Sequence, residues 1–150
     1  LSEQENRVFI GDSVLSDAWV KKIAAKDNIF LFMGGVIYYF NEGEVKQLFR
    51  KIGGEFTKAV MAFDYGSVKG LEITNKKVLK ESGLRGQARA KWGIDNIYEI
   101  ETWQPGIKII ETMNLFAKHK KKFPLWKRLG MTISDRMKMM SLAKIEINGA

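Results

Sequence analysis

The chain of 150 residues has no cysteine, a single histidine and two prolines. Without cysteine there is no disulfide, no thiolate nucleophile and no cysteine-held metal. With His119 as its only histidine, a multi-histidine metal cluster is excluded too. No apolar run approaches a membrane span, and the N-terminus has no signal-peptide pattern. The expectations are therefore no metal, no membrane partner and a cytoplasmic location. No Ser-His-Asp set, Walker loop or GxGxxG emerges, and there are no repeats or low-complexity segments. The length suits one domain, residues 1–150, with a proper core.

What is present is an ordinary globular balance, 45% apolar and 28% charged, which leaves no room for a disorder signature. The net charge of +8 is concentrated locally: "KHKKKFPLWKR" (118–128) carries six positive charges and no acid. Such a run can touch nucleic acid or an acidic partner, or form a solvated loop and helix face. The rest of the chain is nearly balanced, which argues against a nucleic-acid platform spread over the fold. The chain starts at Leu1 in a polar stretch, "LSEQEN", that reads like a helix end leading into a strand. A piece of a longer protein is the expectation.

Periodicity predicts alternating strands and helices. "RVFIG" (7–11) reads as a short buried strand, and "SDAWVKKIAAK" (16–26) as a helix capped by Ser16 or Asp17. "NIFLFMGG" (28–35) is apolar on both faces, as in the middle of a covered sheet. "NEGEVKQLFRKIGG" (41–54) has Asn41 and Glu44 at capping-box spacing, a stripe of Val45, Leu48, Phe49 and Ile52, and Gly53-Gly54 as a stop. "KAVMAFDYG" (58–66) is another doubly apolar strand, followed by a weaker helix over about 67–82 ending at Gly83. "LRGQARAKWG" (84–93) reads as a loop, and "DNIYEIETW" (95–103) as a short capped helix closed by Pro105-Gly106. "IKIIETMNLF" (107–116) reads as a strand, "DRMKMMS" as helical, and "LAKIEING" (142–149) as a final antiparallel strand.

Strand-helix-strand-helix-strand order with continuous apolar strands gives an α/β fold with a parallel sheet. Ligands of such sheets bind beyond the carboxyl ends of the strands. The ends are Gly11-Asp12-Ser13, Gly34-Gly35-Val36 and Asp64-Tyr65-Gly66. Asp12 can accept hydrogen bonds from an adenine amino group or a ribose, or simply cap a turn. Gly34-Gly35 suits close approach of a ligand and equally a tight strand exit. Tyr38 and Tyr39 read as core or rim aromatics, one of them bordering a pocket. The methionines of "MTISDRMKMM" read as packing beneath a helix, with a Met-rich groove as the lesser alternative.

Taken together, "RVFIGDSVLSDAWVKKI", "IFLFMGGVIYYFNEGEVKQLFRKI", "AVMAFDYGS" and "KWGIDNIYEIETWQPGIKIIE" resemble one family. It is the S-adenosylmethionine-dependent O-methyltransferases of the leucine carboxyl methyltransferase type, which include polyketide-tailoring members. The resemblance spans roughly residues 6–148, in order. It implies a class I methyltransferase (Rossmann-like) sheet of spatial order 3-2-1-4-5-7-6, the last strand antiparallel. "RVFIG" then matches the third strand, "IFLFM" the fourth, "AVMAFD" the fifth, and "IKIIETMNL" and "AKIEI" the sixth and seventh.

The resemblance places Asp12 and Ser13 on the residues that hold the adenine of the donor, S-adenosylmethionine. Gly35 matches the family glycine, and Gly34 replaces a Glu that reaches the donor in many relatives. Tyr39 matches a family tyrosine, and Tyr39, Asp64 and Tyr65 are candidates for the acceptor side. No general base is identified. The glycine-rich donor loop and the ribose-binding acid belong to the first two strands, which have no counterpart here. The resemblance thus implies a C-terminal portion with strands three to seven, a methyl transfer to a carboxylate or hydroxyl oxygen, and doubtful donor binding by this chain alone. A non-catalytic interaction or dimerisation module is the alternative, with a basic nucleic-acid-binding domain as the lesser one. With strands one and two missing, "NIFLFMG" becomes a bare edge, so a homodimer or strand-swapped assembly is expected.

Overall fold

The structure, a computed structural model, describes residues 7–81 and 89–149. Along the chain run α1 (Ala18–Lys22), β1 (Ile29–Met33), α2 (Glu42–Glu55), β2 (Lys58–Tyr65), α3 (Val68–Glu81), β3 (Ile107–Asn114), α4 (Leu125–Arg136) and β4 (Ser141–Asn148). The strands form one sheet in the order β1-β2-β4-β3. β1 and β2 are parallel, with Ile29 opposite Ala59 and Met33 opposite Phe63. β4 lies between β2 and β3 and is antiparallel to both, placing Ser141 beside Tyr65 and Asn114. The α/β class, the parallel pair and the antiparallel last strand agree with the pattern of the sequence.

α2 forms where its local signals agree. Asn41 accepts from the Glu44 N–H at 3.0 Å while the Glu44 carboxylate accepts from the Asn41 N–H at 2.7 Å, closing the capping box. Val45, Leu48, Phe49 and Ile52 are fully buried in one cluster with Ala59, Met61 and Phe63 of β2 and Ile145 and Ile147 of β4. Phe49 sits at the centre, its ring 5.8 Å from those of both Phe63 and Trp103. Burying a side chain of this size contributes about 1.5–3 kcal/mol.

Several expectations are corrected. "RVFIG" is no strand: Arg7 alone makes a bridge, and residues 8–11 are irregular, with Val8 69% exposed. An apolar run becomes a strand only beside a ladder partner, and residues 8–11 have none among the described residues. The first helix shrinks to α1, because Ile23 is already extended and the Lys26 ammonium takes the Val20 carbonyl at 3.0 Å. Its Asp17 occupies the cap position without capping the helix, its carboxylate pairing instead with the Lys51 ammonium at 2.8 Å, while Ser16 Oγ accepts from the Ala18 N–H. Gly53-Gly54 does not stop α2, which runs on to Glu55 and ends at Phe56. Residues 97–102 form a 3-10 rather than an α-helix, capped by Asn96. α4 begins at Leu125, so most of "DRMKMMS" is the turn into β4. α3 runs to Glu81, while Gly83, the expected stop, and residues 84–88 of the expected loop lie outside the described residues.

β1 departs from expectation most clearly. Ile29, Leu31 and Met33 face the core, but Phe30 and Phe32 point the other way and are 63% and 72% exposed. The strand lies at an edge of the sheet with one bare face among the described residues, not in the covered middle that its pattern suggested but at the bare edge that the resemblance implied. No helix among the described residues is long and apolar enough to cross a membrane.

Candidate functional site

The parallel pair ends at Met33 and Tyr65 on one edge of the sheet, where the chain turns through Gly34-Gly35 and Gly66-Ser67. Gly35 takes a φ of +72°, in the region where a side chain is strained. Its N–H donates to Asp64 Oδ1 at 2.8 Å, and Asp64 is only 7% exposed. Asp64 therefore clamps the exit of β1 to the end of β2. This explains Gly35 as the tight exit the sequence allowed.

Past that exit a 3-10 turn, Ile37–Tyr39, buries Ile37 and sets the Tyr38 ring against that of Tyr39 at a tilt of 55°, with centroids 4.9 Å apart. The Tyr38 carbonyl accepts from the N–H groups of Lys91 and Trp92, pinning residues 91–92 over the strand ends. Asn75 of α3 holds the neighbouring residue from the other side. Its amide donates to the Ala90 carbonyl and accepts from the Ala90 N–H, both at 2.9 Å. Ser67 ties in the segment leading to β4. Its hydroxyl donates to the Met137 carbonyl, and its N–H donates to the Lys138 carbonyl, each at 2.8 Å. A Cβ on Gly66 would sit 2.7 Å from the Met139 carbonyl oxygen, so only glycine permits this approach.

These segments border a partly open cavity of about 130 Å³, walled chiefly by Tyr38, Tyr39, Tyr65, Leu71, Met139 and Met140. Burial pushes the Tyr65 hydroxyl above its ordinary pKa, opposed by its hydrogen bond with Ser141. Tyr38 is also pushed up, first by burial and then by the nearby Asp64 carboxylate. Both phenols are therefore neutral hydrogen-bonding groups at neutral pH and not bases.

The candidate residues of the sequence fall into three groups. Tyr39 and Tyr65 share the cavity. Gly35 and Asp64 bond to each other beside it, and Gly34 is exposed at the same turn. Asp12 and Ser13 stand apart, in the irregular turn before α1. Asp12 Oδ1 accepts from the Ser13 N–H at 2.7 Å and the carboxylate is exposed. A hydrogen bond from Ser16, reinforced by that of Ser13, holds its pKa below the ordinary carboxylate value. Sequence reasoning left out Tyr38 as a site residue and missed Asn75 entirely. The paired tyrosines were a visible signal, but nothing local marks Asn75, whose partner lies 15 residues on. Met139 and Met140 line a cavity, which favours the groove over packing beneath a helix.

No family model matches the sequence, and no curated protein does. The structure is similar to that of a DUF574 family protein from Streptomyces avermitilis MA-4680, with TM-score 0.54 at 8% identity, covering 93% of this chain and 53% of that one. It also aligns with a SAM-dependent methyltransferase from Anabaena variabilis ATCC 29413, with TM-score 0.47 at 14% identity, covering 92% of this chain and 56% of that one. The first likeness shows the fold. The chain spans about half the length of these solved structures.

Proposed function

We propose that the chain is the C-terminal portion of an S-adenosylmethionine-dependent O-methyltransferase. The sheet carries this reading: its order β1-β2-β4-β3, with β4 antiparallel, is the 4-5-7-6 half of the order that the resemblance implies. The motifs of the resemblance support it, since they fall in order on β1, β2, the Trp92–Trp103 stretch and β3. The acceptor is a carboxylate or hydroxyl oxygen of a small molecule or a carboxyl terminus.

The residues present fit part of the donor. Asp12 is an exposed carboxylate kept ionised by Ser16 and Ser13, suited to accept from an adenine amino group, with the Ser13 hydroxyl beside it. Gly34 and Gly35 leave the exit of β1 without side chains where the donor would pass. When bound, the donor supplies an electrophilic methyl group on a sulfonium. The chain's own part is positioning: the cavity holds the acceptor beside Gly35, and the apolar walls exclude water. Such a reaction needs no catalytic triad, consistent with a site of tyrosines, methionines and one clamping carboxylate.

The second reading, a non-catalytic interaction module, draws on the bare edge and exposed face of β1. Calorimetric titration of S-adenosylmethionine separates the two. Residues 1–150 alone should bind poorly, lacking the glycine-rich loop and ribose acid, whereas the protein from its full reading frame should bind. Micromolar affinity for residues 1–150 alone contradicts the divided site. No binding by the full protein contradicts the methyltransferase.

A further inference from the structure

The cavity narrows the choice of acceptor further than the class of reaction does, provided that the methyltransferase reading holds. We infer that the cavity at the end of β2 takes a single aromatic ring bearing a neutral hydroxyl, so that the acceptor is a phenol and not a carboxylate.

Size is the first ground. The cavity measures about 130 Å³. An apolar cavity of about 150 Å³ accepts benzene, so the space between the walls matches one ring. Its walls are the second. The rings of Tyr38, Tyr39 and Tyr65 with the thioethers of Met139 and Met140 offer faces and sulfur to an aromatic guest.

Charge is the third and decides between the two oxygen nucleophiles. Among the described residues that line the cavity there is no Lys, Arg or His. A carboxylate entering such a site before the donor binds loses its water and gains no cation from these side chains, which is strongly unfavourable. The charge whose field reaches Tyr38 is itself an anion, the Asp64 carboxylate. The remaining polar side chains are the hydroxyls of Tyr38, Tyr39, Tyr65 and Thr74. Asn75 is committed to Ala90 at both ends of its amide.

Position is the fourth. A Cβ on Gly35 would lie 3.6 Å from the Tyr38 hydroxyl. The hydroxyl at the cavity rim is thus next to the glycine that the proposed donor passes. A phenol seated against these rings would present its oxygen there; the O–CH3 bond forms as the donor's S–CH3 bond breaks, and the phenol proton leaves to water at the open mouth of the cavity.

Phenol and benzoate, equal in ring and different in charge, are the probes. Titrated into the protein from its full reading frame without donor, phenol should shift the methyl NMR signals of Met139 and Met140, and benzoate should bind roughly tenfold or more weakly. Leu71→Phe, which fills the cavity, should abolish the phenol shifts while Met113 and Met131 signals stay in place, showing an intact fold. Benzoate binding as tightly as phenol, or phenol leaving the Met139 and Met140 signals unmoved, overturns the inference. Donor titration is read separately. Donor binding without phenol selectivity defeats this inference alone, and phenol selectivity without donor binding defeats the methyltransferase reading on which the acceptor role rests.

Discussion

At the scale of the residue, Asp64 shows how a site candidate can also be a structural tie. Its carboxylate is buried and accepts the Gly35 N–H, so Asp64→Ala leaves that donor without its partner. The expected loss is about 1–3 kcal/mol, measured by denaturant unfolding. An unchanged midpoint would mean that the exit of β1 is held by something else. The tyrosines give a pH signature. Tyr65 and Tyr38 have pKa values raised above the ordinary 10.0. Below that value folded and unfolded chains both keep the protons, and the stability is fully present. As pH rises beyond it, the unfolded chain releases protons that the folded chain retains, so stability falls. Tyr65→Phe should flatten that alkaline decline; an identical decline in the variant would show that Tyr65 is not responsible. Of these residues, the sequence made Asp64 and Tyr65 visible through their place at a strand end. Asn75 stayed invisible because its value lies in a backbone partner that only the folded chain supplies.

At the scale of the element, legibility follows how many local signals agree. α2 has cap, capping box and stripe together, and it folds as its residues suggest. Asn41→Ala should cost about 1 kcal/mol through loss of the cap, and Phe49→Ala about 3–5 kcal/mol through the cavity left at the core. Thermal unfolding checks both, and equal losses would contradict the assigned roles. "RVFIG" has only an apolar run to commend it, and without a paired neighbour it stays irregular with Val8 and Phe9 exposed. The apolar pattern made β1 legible as a strand but not as an edge, since apolarity on both faces says nothing of what lies beside it; its edge position was legible only through the resemblance. The basic segment is more organised than its composition suggests. The Arg128 guanidinium donates to the carbonyls of Phe123 and Lys121, each at 2.7 Å, and Lys120 pairs with the buried Asp135 at 2.8 Å.

At the scale of the whole molecule, the sheet is covered unevenly by the described residues. α2 and the Ile97–Thr102 turn cover one face, while Phe30 and Phe32 stand bare on the other beside the open edge of β1. Unpaired backbone with exposed aromatics favours pairing with another strand. Residues 1–150 alone are therefore expected to be a dimer, or strand-swapped through "SVLSD", at micromolar concentration in light scattering. A stable monomer would contradict this. The order of the sheet was legible only through resemblance, because periodicity finds strands but cannot place the last one between its predecessors.

A donor edge built on the turn at Asp12 and the glycines after β1 is tested most directly by one affinity. S-adenosylmethionine is titrated by calorimetry into the protein from its full reading frame and into its Asp12→Ala variant. Losing a charge-assisted hydrogen bond costs about 1.5–3 kcal/mol, so the variant should bind roughly ten- to a hundred-fold more weakly. Equal affinity in the two proteins would remove Asp12 from the site, and no binding by either would contradict the methyltransferase reading as a whole.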